Sequence, residues 1–121
     1  MNKVKALSQE EQLALNEFVR RLRLKLDGRL ISLVLFGSKA RGDSRPDSDI
    51  DVLVVVDKDD FEIRQAIRDI AADVWLEYGP YISTRIWSLA HYRKLEKLQS
   101  PLYLCIRDEG VELVKESPRE G

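Results

Sequence analysis

The sequence predicts an α/β fold, a small mixed sheet of three to four strands covered by helices. Three observations lead there. Apolar residues recur at helical spacing over residues 15–26 and 61–78; near-continuous apolar runs occupy 29–36 and 49–56; and Gly or Pro breakers separate the two patterns. The chain has 121 residues, of which 44% are hydrophobic and 34% charged. That apolar share supports a packed core and argues against global disorder, and the length suits one domain spanning 1–121.

The first helix is signalled by Ser8 and Glu11, the spacing of a capping box. Leu15, Phe18, Val19, Leu22 and Leu26 follow on one face, and Gly28 is a natural stop. Arg20, Arg21, Arg23 and Lys25 lie on the other face, either as a solvated surface or as a docking surface for something acidic. Arg29–Phe36 reads as a buried strand ending at Gly37-Ser38, and Ser38–Gly42 suits one short helical turn. Asp43–Ser48, with Pro46, is loop by composition. Asp49–Val56 is a second strand. Asp57–Asp60 caps a helix over Phe61–Tyr78, with Ile63, Ile67, Ile70, Val74 and Trp75 inward. Gly79-Pro80 breaks it. Tyr81–Trp87 reads as a third strand, Ser88 caps a helix to about Leu98, and Ser100-Pro101 starts another that ends near Gly110. Val111–Val114 suits a short edge strand, and Lys115–Gly121 a frayed tail. Cys105, Trp75 and Trp87 are expected in the core, His91 at the surface, and Tyr78 and Tyr81 in packing around the Gly-Pro turn.

Composition excludes several functions. One cysteine and one histidine leave no Cys/His zinc cage and no cysteine-protease pair. A net charge of -1 gives no basic excess for nucleic acid. Met1–Gln12 has no apolar h-region, and no apolar run approaches the roughly 18 residues of a membrane span. A soluble, cytoplasmic protein is the expectation, with a homodimer or hetero-complex compatible with the small size and the apolar last helix.

The chemistry concentrates in the middle of the chain, where seven aspartates fall within Asp43–Asp60. Asp49 and Asp51 alternate with Ile50 and Val52, so a strand puts both carboxylates on one face and both apolar residues into the core. Parallel carboxylates repel, and a divalent cation held between them relieves the repulsion. Hard oxygen donors suit Mg²⁺, which completes its shell with water and phosphate. The preceding strand ends at Gly37-Ser38, where a glycine lets the backbone approach closely and the amides of Gly37, Ser38 and Lys39 open a turn suited to phosphate oxygens. Adjacent strands bring the two features to one rim.

Phe36-Gly37-Ser38, ten intervening residues, then Asp49-Ile50-Asp51-Val52 resembles the signature of the polymerase-β-type nucleotidyltransferase superfamily. The stretch GSKARGDSRPDSDIDVLV is similar to the minimal nucleotidyltransferases, small prokaryotic proteins often encoded beside a HEPN-domain partner. The resemblance implies that Gly37 and Ser38 contact the phosphates of ATP, that Asp49 and Asp51 are catalytic and hold Mg²⁺, and that AMP passes to a hydroxyl of a partner protein, a HEPN-type toxin. Arg41 matches the Arg of the family's Gly-Ser-x-Ala-Arg-Gly stretch. It either neutralises phosphate charge or pairs with Asp43, Asp47 or Asp49. Lys39 and Arg45 read as solvated.

The match departs at the third strand. Active members usually carry a third carboxylate there, and Tyr81–Trp87 has none; Ser83 or Thr84 stands in its place, and neither is a base at neutral pH. Asp73 is expected to face solvent, and Glu77 belongs to the helix. Arg85, on the same strand face as Ser83, either pairs with the acids or is a surface residue. Two functions of different class follow: a slow or active nucleotidyltransferase, and a non-catalytic module that binds and neutralises its partner.

Overall fold

The computed structural model describes residues 6–43 and 48–115. Its elements run α1 (Gln9–Lys25), β1 (Leu30–Phe36), α2 (Ser38–Arg41), β2 (Ile50–Val56), α3 (Phe61–Tyr78), β3 (Ile82–Ser88), α4 (Leu89–Lys97), α5 (Pro101–Glu109) and β4 (Val111–Lys115). The four strands form one mixed sheet in the order β3-β2-β1-β4. β1 is antiparallel to β2 and to β4, and β2 is parallel to β3.

The crossover from β2 to the parallel β3 is α3, as parallel pairing requires. β2 lies inside the sheet, and Ile50 and Val52 through Val56 are all buried. A strand covered on both faces reads as an unbroken apolar run, which is why IDVLVVV carries no alternation after its acid. One face packs under α1 and α3 through Phe18, Leu22, Ile63, Ile67, Leu33, Leu35, Val52 and Val54. The other face packs under α4 and α5 through Ile31, Leu53, Val55, Trp87 and Ile106. Full burial of one such side chain contributes about 1.5–3 kcal/mol.

The caps follow the sequence. Ser8 accepts from the Glu11 amide at 3.1 Å while the Glu11 carboxylate accepts from the Ser8 amide at 2.9 Å. Asp60, Ser88 and Ser100 each cap the helix that follows them. Gly110 lies so close to Val34 that a Cβ there would come within 2.6 Å of Val34 Cγ1, so α5 turns into β4 only through a glycine. Among the described residues, no helix is long and apolar enough to cross a membrane.

Four expectations change. Trp75 is 49% exposed and meets Tyr81 edge to face rather than entering the core; the buried stripe of α3 runs Ile63, Ile67, Ala71, Val74, and the residue after Val74 is turned about 100° away from it. Cys105 is exposed, because α5 turns Tyr103 and Ile106 inward instead. Lys115 belongs to β4, not to a frayed tail. The basic face of α1 is partly consumed within the molecule: Glu17 pairs with Arg20 and Arg21, and Arg21 reaches Glu77 of α3 at 2.7 Å. The readings on Arg45, Pro46 and Asp47, and on residues 116–121, lie outside the described residues.

Candidate active site

β1 delivers Phe36 to the sheet rim, and the chain turns at Gly37 with φ +76°, a left-handed conformation that favours glycine. A side chain is excluded there for a second reason. A Cβ on Gly37 would stand 2.5 Å from Oδ2 and 3.3 Å from Cγ of Asp51. The glycine corner and the carboxylate are therefore pressed together. Ser38 opens α2, whose single turn closes through the Arg41 amide on the Gly37 carbonyl (3.1 Å) and the Gly42 amide on the Ser38 carbonyl (2.9 Å). The first amides of such a turn have no partner within it.

Lys39 overturns its sequence reading. It is 1% exposed, and its Nζ lies 2.7 Å from Oε2 of Glu11. Glu11 thus does two jobs: one carboxylate oxygen caps α1 and the other receives the ammonium of α2. A buried ammonium needs a hydrogen-bonded counter-charge, so the pair anchors the turn after Gly37 to the start of α1. The signal was absent from the local sequence, because Glu11 already had a complete reason to be there.

Asp49 is exposed and precedes β2, while Asp51 is half-buried within it. Register puts Phe36, Asp51 and Ser83 in one row across β1, β2 and β3. Of the two hydroxyls expected near the acids, it is Ser83 that faces Asp51; Thr84 pairs with Val52. Partial burial pushes the Asp51 carboxyl above the usual range for aspartate, and the Asp49 charge adds to the rise; Arg85 and Arg41 oppose it. Arg41 is exposed and pairs with Asp43 (3.2 Å) and with Glu109 of α5 (3.4 Å), so α2 is tied to α5 as well as to α1. Glu77 is engaged with Arg21 on the α1–α3 layer and Asp73 is exposed, so neither stands in for a third carboxylate.

Two hard oxygen donors at an open rim fit a cation that draws its other ligands from water and phosphate. Among the described residues, no group of three or more His, Cys, Asp or Glu is gathered for a metal. An open depression of about 450 Å³ runs beside Asp51 along β3, lined by Phe36, Ser83, Arg85 and Trp87 among others. A larger hollow of about 560 Å³ lies between α4–α5 and β1–β4 around Tyr92, Tyr103 and Ile106. It contains none of the candidate residues, and size alone does not locate chemistry.

This fold, with a glycine corner against paired aspartates, is that of nucleotide-transferring proteins, and comparison agrees. The family model described as Nucleotidyltransferase domain matches residues 15–108, and the chain belongs to that family. A Methanocaldococcus jannaschii chain provisionally named a protein adenylyltransferase is 37% identical over 101 residues, which is 83% of this chain and 94% of that one. A toxin–antitoxin crystallised with AMP-PNP superposes with a TM-score of 0.60 at 21% identity, covering 91% of this chain and 76% of its own. The spectinomycin adenyltransferase AAD(9) of Enterococcus faecialis, solved with ATP and spectinomycin, gives a TM-score of 0.60 at 22% identity over 88% of this chain and 56% of its own. The two structures share the fold.

Proposed function

We propose that the protein transfers AMP from ATP to a hydroxyl of a partner protein, in a toxin–antitoxin setting with a HEPN-type partner. The observation that carries the reading is the close approach of the Gly37 corner to Asp51, which packs a phosphate-suited turn against that carboxylate. The relative named as a protein adenylyltransferase supports AMP and a protein acceptor, and the toxin–antitoxin neighbour supports the setting.

Gly37 and Ser38 contact the phosphates, and Arg41 joins them by exchanging its pairing with Asp43 and Glu109 for phosphate oxygens. Asp49 and Asp51 would hold Mg²⁺, which when bound neutralises triphosphate charge and favours loss of pyrophosphate. The acceptor oxygen forms a bond to the α-phosphorus, and the bond from that phosphorus to the pyrophosphate oxygen breaks, its electron pair leaving with pyrophosphate. The hydroxyl proton passes to water, because Ser83, opposite Asp51, is not a base. Losing a positioned base costs about 10²–10⁴ in rate, so transfer is slow. The same Ser83 favours a second reading: a module that neutralises its partner by contact, without chemistry.

The test incubates the protein with labelled ATP, Mg²⁺ and a HEPN-type partner. Label on the partner that disappears in Asp49→Ala and Asp51→Ala supports transfer. A partner left unlabelled by the wild type, yet still neutralised by the double variant, refutes transfer and supports contact.

A further inference from the structure

We propose that the β3 side of this site receives an acceptor segment carrying negative charge beside its hydroxyl, and that Arg85 is the residue that reads this charge. The inference rests on the reading that the phosphates lie against Gly37 and Ser38. Asp51 sits on β2 between two neighbours in register, Phe36 on β1 and Ser83 on β3. In phosphoryl and nucleotidyl transfer the attacking and leaving oxygens stand roughly in line on opposite sides of phosphorus. If pyrophosphate leaves on the β1 side, the acceptor approaches from the β3 side.

That side is open. β3 ends the sheet, and the depression beside Asp51 runs along it. Its floor and walls set what fits. Ser83 is neutral and small. Arg64 lines the depression but is held by both oxygens of Asp59 at 2.6 Å, so its charge is already matched. Arg85 lies two residues beyond Ser83 on the same strand face, is exposed, and has no carboxylate partner among the described residues. Its charge acts on Asp51, so it stands near the reacting centre. Asp51 lines the same depression, and Mg²⁺ bound there would take up its charge, so an acceptor lined with lysine or arginine meets the like charge of Arg85. One flanked by aspartate, glutamate or a phosphate supplies the missing counter-charge.

The test measures binding of two fluorescent tyrosine peptides, one flanked by glutamates and one by lysines, to the protein loaded with Mg²⁺ and a non-hydrolysable ATP analogue, read by anisotropy at low salt. The glutamate peptide binds roughly 1.5- to fivefold more tightly, the range of one exposed ion pair. Raising salt reduces the preference, Arg85→Lys keeps it, Arg85→Ala erases it, and Arg85→Glu inverts it. Equal binding of the two peptides to the wild type, or an acidic preference that survives Arg85→Glu, overturns the inference. Calorimetry of Mg-ATP binding separates the two levels. Heat of binding with no acidic preference removes only the role of Arg85; no heat at all removes the nucleotide reading and, with it, the assignment of the peptide as acceptor.

Discussion

The buried pair between Lys39 and Glu11 ought to be worth more to this protein than any of its surface ion pairs. The perturbation is Lys39→Met, which keeps the length of the side chain and removes the charge. Glu11 is then left as a carboxylate with one oxygen on the Ser8 amide and the other facing an apolar neighbour, in a pair whose side chains are 2% and 12% exposed. Removing one partner of a buried ion pair costs about 3–5 kcal/mol. The start of α1 offsets part of this, because a carboxylate in the first turn of a helix is favoured by about 0.3–1 kcal/mol. The expected net loss is therefore about 2–4 kcal/mol. A domain of this length has roughly 6–18 kcal/mol of total stability, so the loss is a substantial fraction of it.

The assay is urea unfolding of the wild type, Lys39→Met, Glu11→Gln and the double variant. Gln at position 11 still suits the capping box, so the cycle isolates the ion pair from the cap. The double variant, which strands no charge, is expected to lie close to the weaker single variant, giving a coupling of about 2 kcal/mol or more. By thermal melting, Lys39→Met falls by about 10 °C, at roughly 3–5 °C per kcal/mol for this size. A single-variant loss under about 1 kcal/mol, or strictly additive losses, refutes the reasoning and makes the pair incidental.

Three further outcomes follow from the same geometry. Gly37→Ala puts a Cβ 2.5 Å from Oδ2 of Asp51 and forces alanine to a positive φ, which costs about 1–2 kcal/mol; isothermal titration is expected to show Mg-ATP binding weakened at least tenfold, with a melting temperature lowered by several degrees. Glu17 is held down to about 2 by its hydrogen bonds to Arg20 and Arg21. A depressed carboxyl contributes stability above its unfolded value near 4.5 and loses it as pH falls toward 2; Glu17→Gln therefore costs up to about 1 kcal/mol at pH 7, an amount limited by solvent exposure, and the gap to wild type closes near pH 2 in urea titrations. Ser83→Asp sets a carboxylate opposite Asp51, and a positioned base raises transfer about 10²-fold or more; label-transfer kinetics at saturating ATP measure it, and an unchanged rate denies that the missing carboxylate limits the reaction.

What the sequence revealed and what it hid divide along a physical line. The strands were legible because β1 and β2 are covered on both faces, which leaves apolar runs that no amphipathic helix produces. The candidate site was legible in outline because Gly37 and Ser38 follow the end of β1 while Asp49 and Asp51 stand at the start of the adjacent β2, so chain order alone brings them to one rim. The Lys39–Glu11 pair was hidden because it joins two elements distant in the chain, and each residue had a sufficient local explanation. Trp75 and Cys105 were misplaced because a helical stripe tolerates one ambiguous edge position, and only packing against a particular neighbour decides it. The choice between Ser83 and Thr84 was open because a strand sequence fixes alternation and not register.

The register is also what gives the missing carboxylate its meaning. Had Thr84 faced Asp51, the strand's other parity would have brought Ile82 and Ile86 to the site and turned Ser83, Arg85 and Trp87 toward α1 and α3, burying an arginine in an apolar layer. Against the two covered faces of this sheet, ISTRIWS fits only in the observed parity at tolerable cost, with Ile82 and Ile86 in the core under α1 and α3. Ser83 and Arg85 therefore reach the Asp51 side as a consequence of packing on the opposite face. The charge that a third acid would supply is absent from β3, and Arg85, two residues along the same strand face, carries the opposite charge. On the proposed reading, such a rim would still hold a metal-bound triphosphate but changes sign on the side where the acceptor would arrive, so acceptor choice and reduced proton transfer would be two results of one strand's alternation.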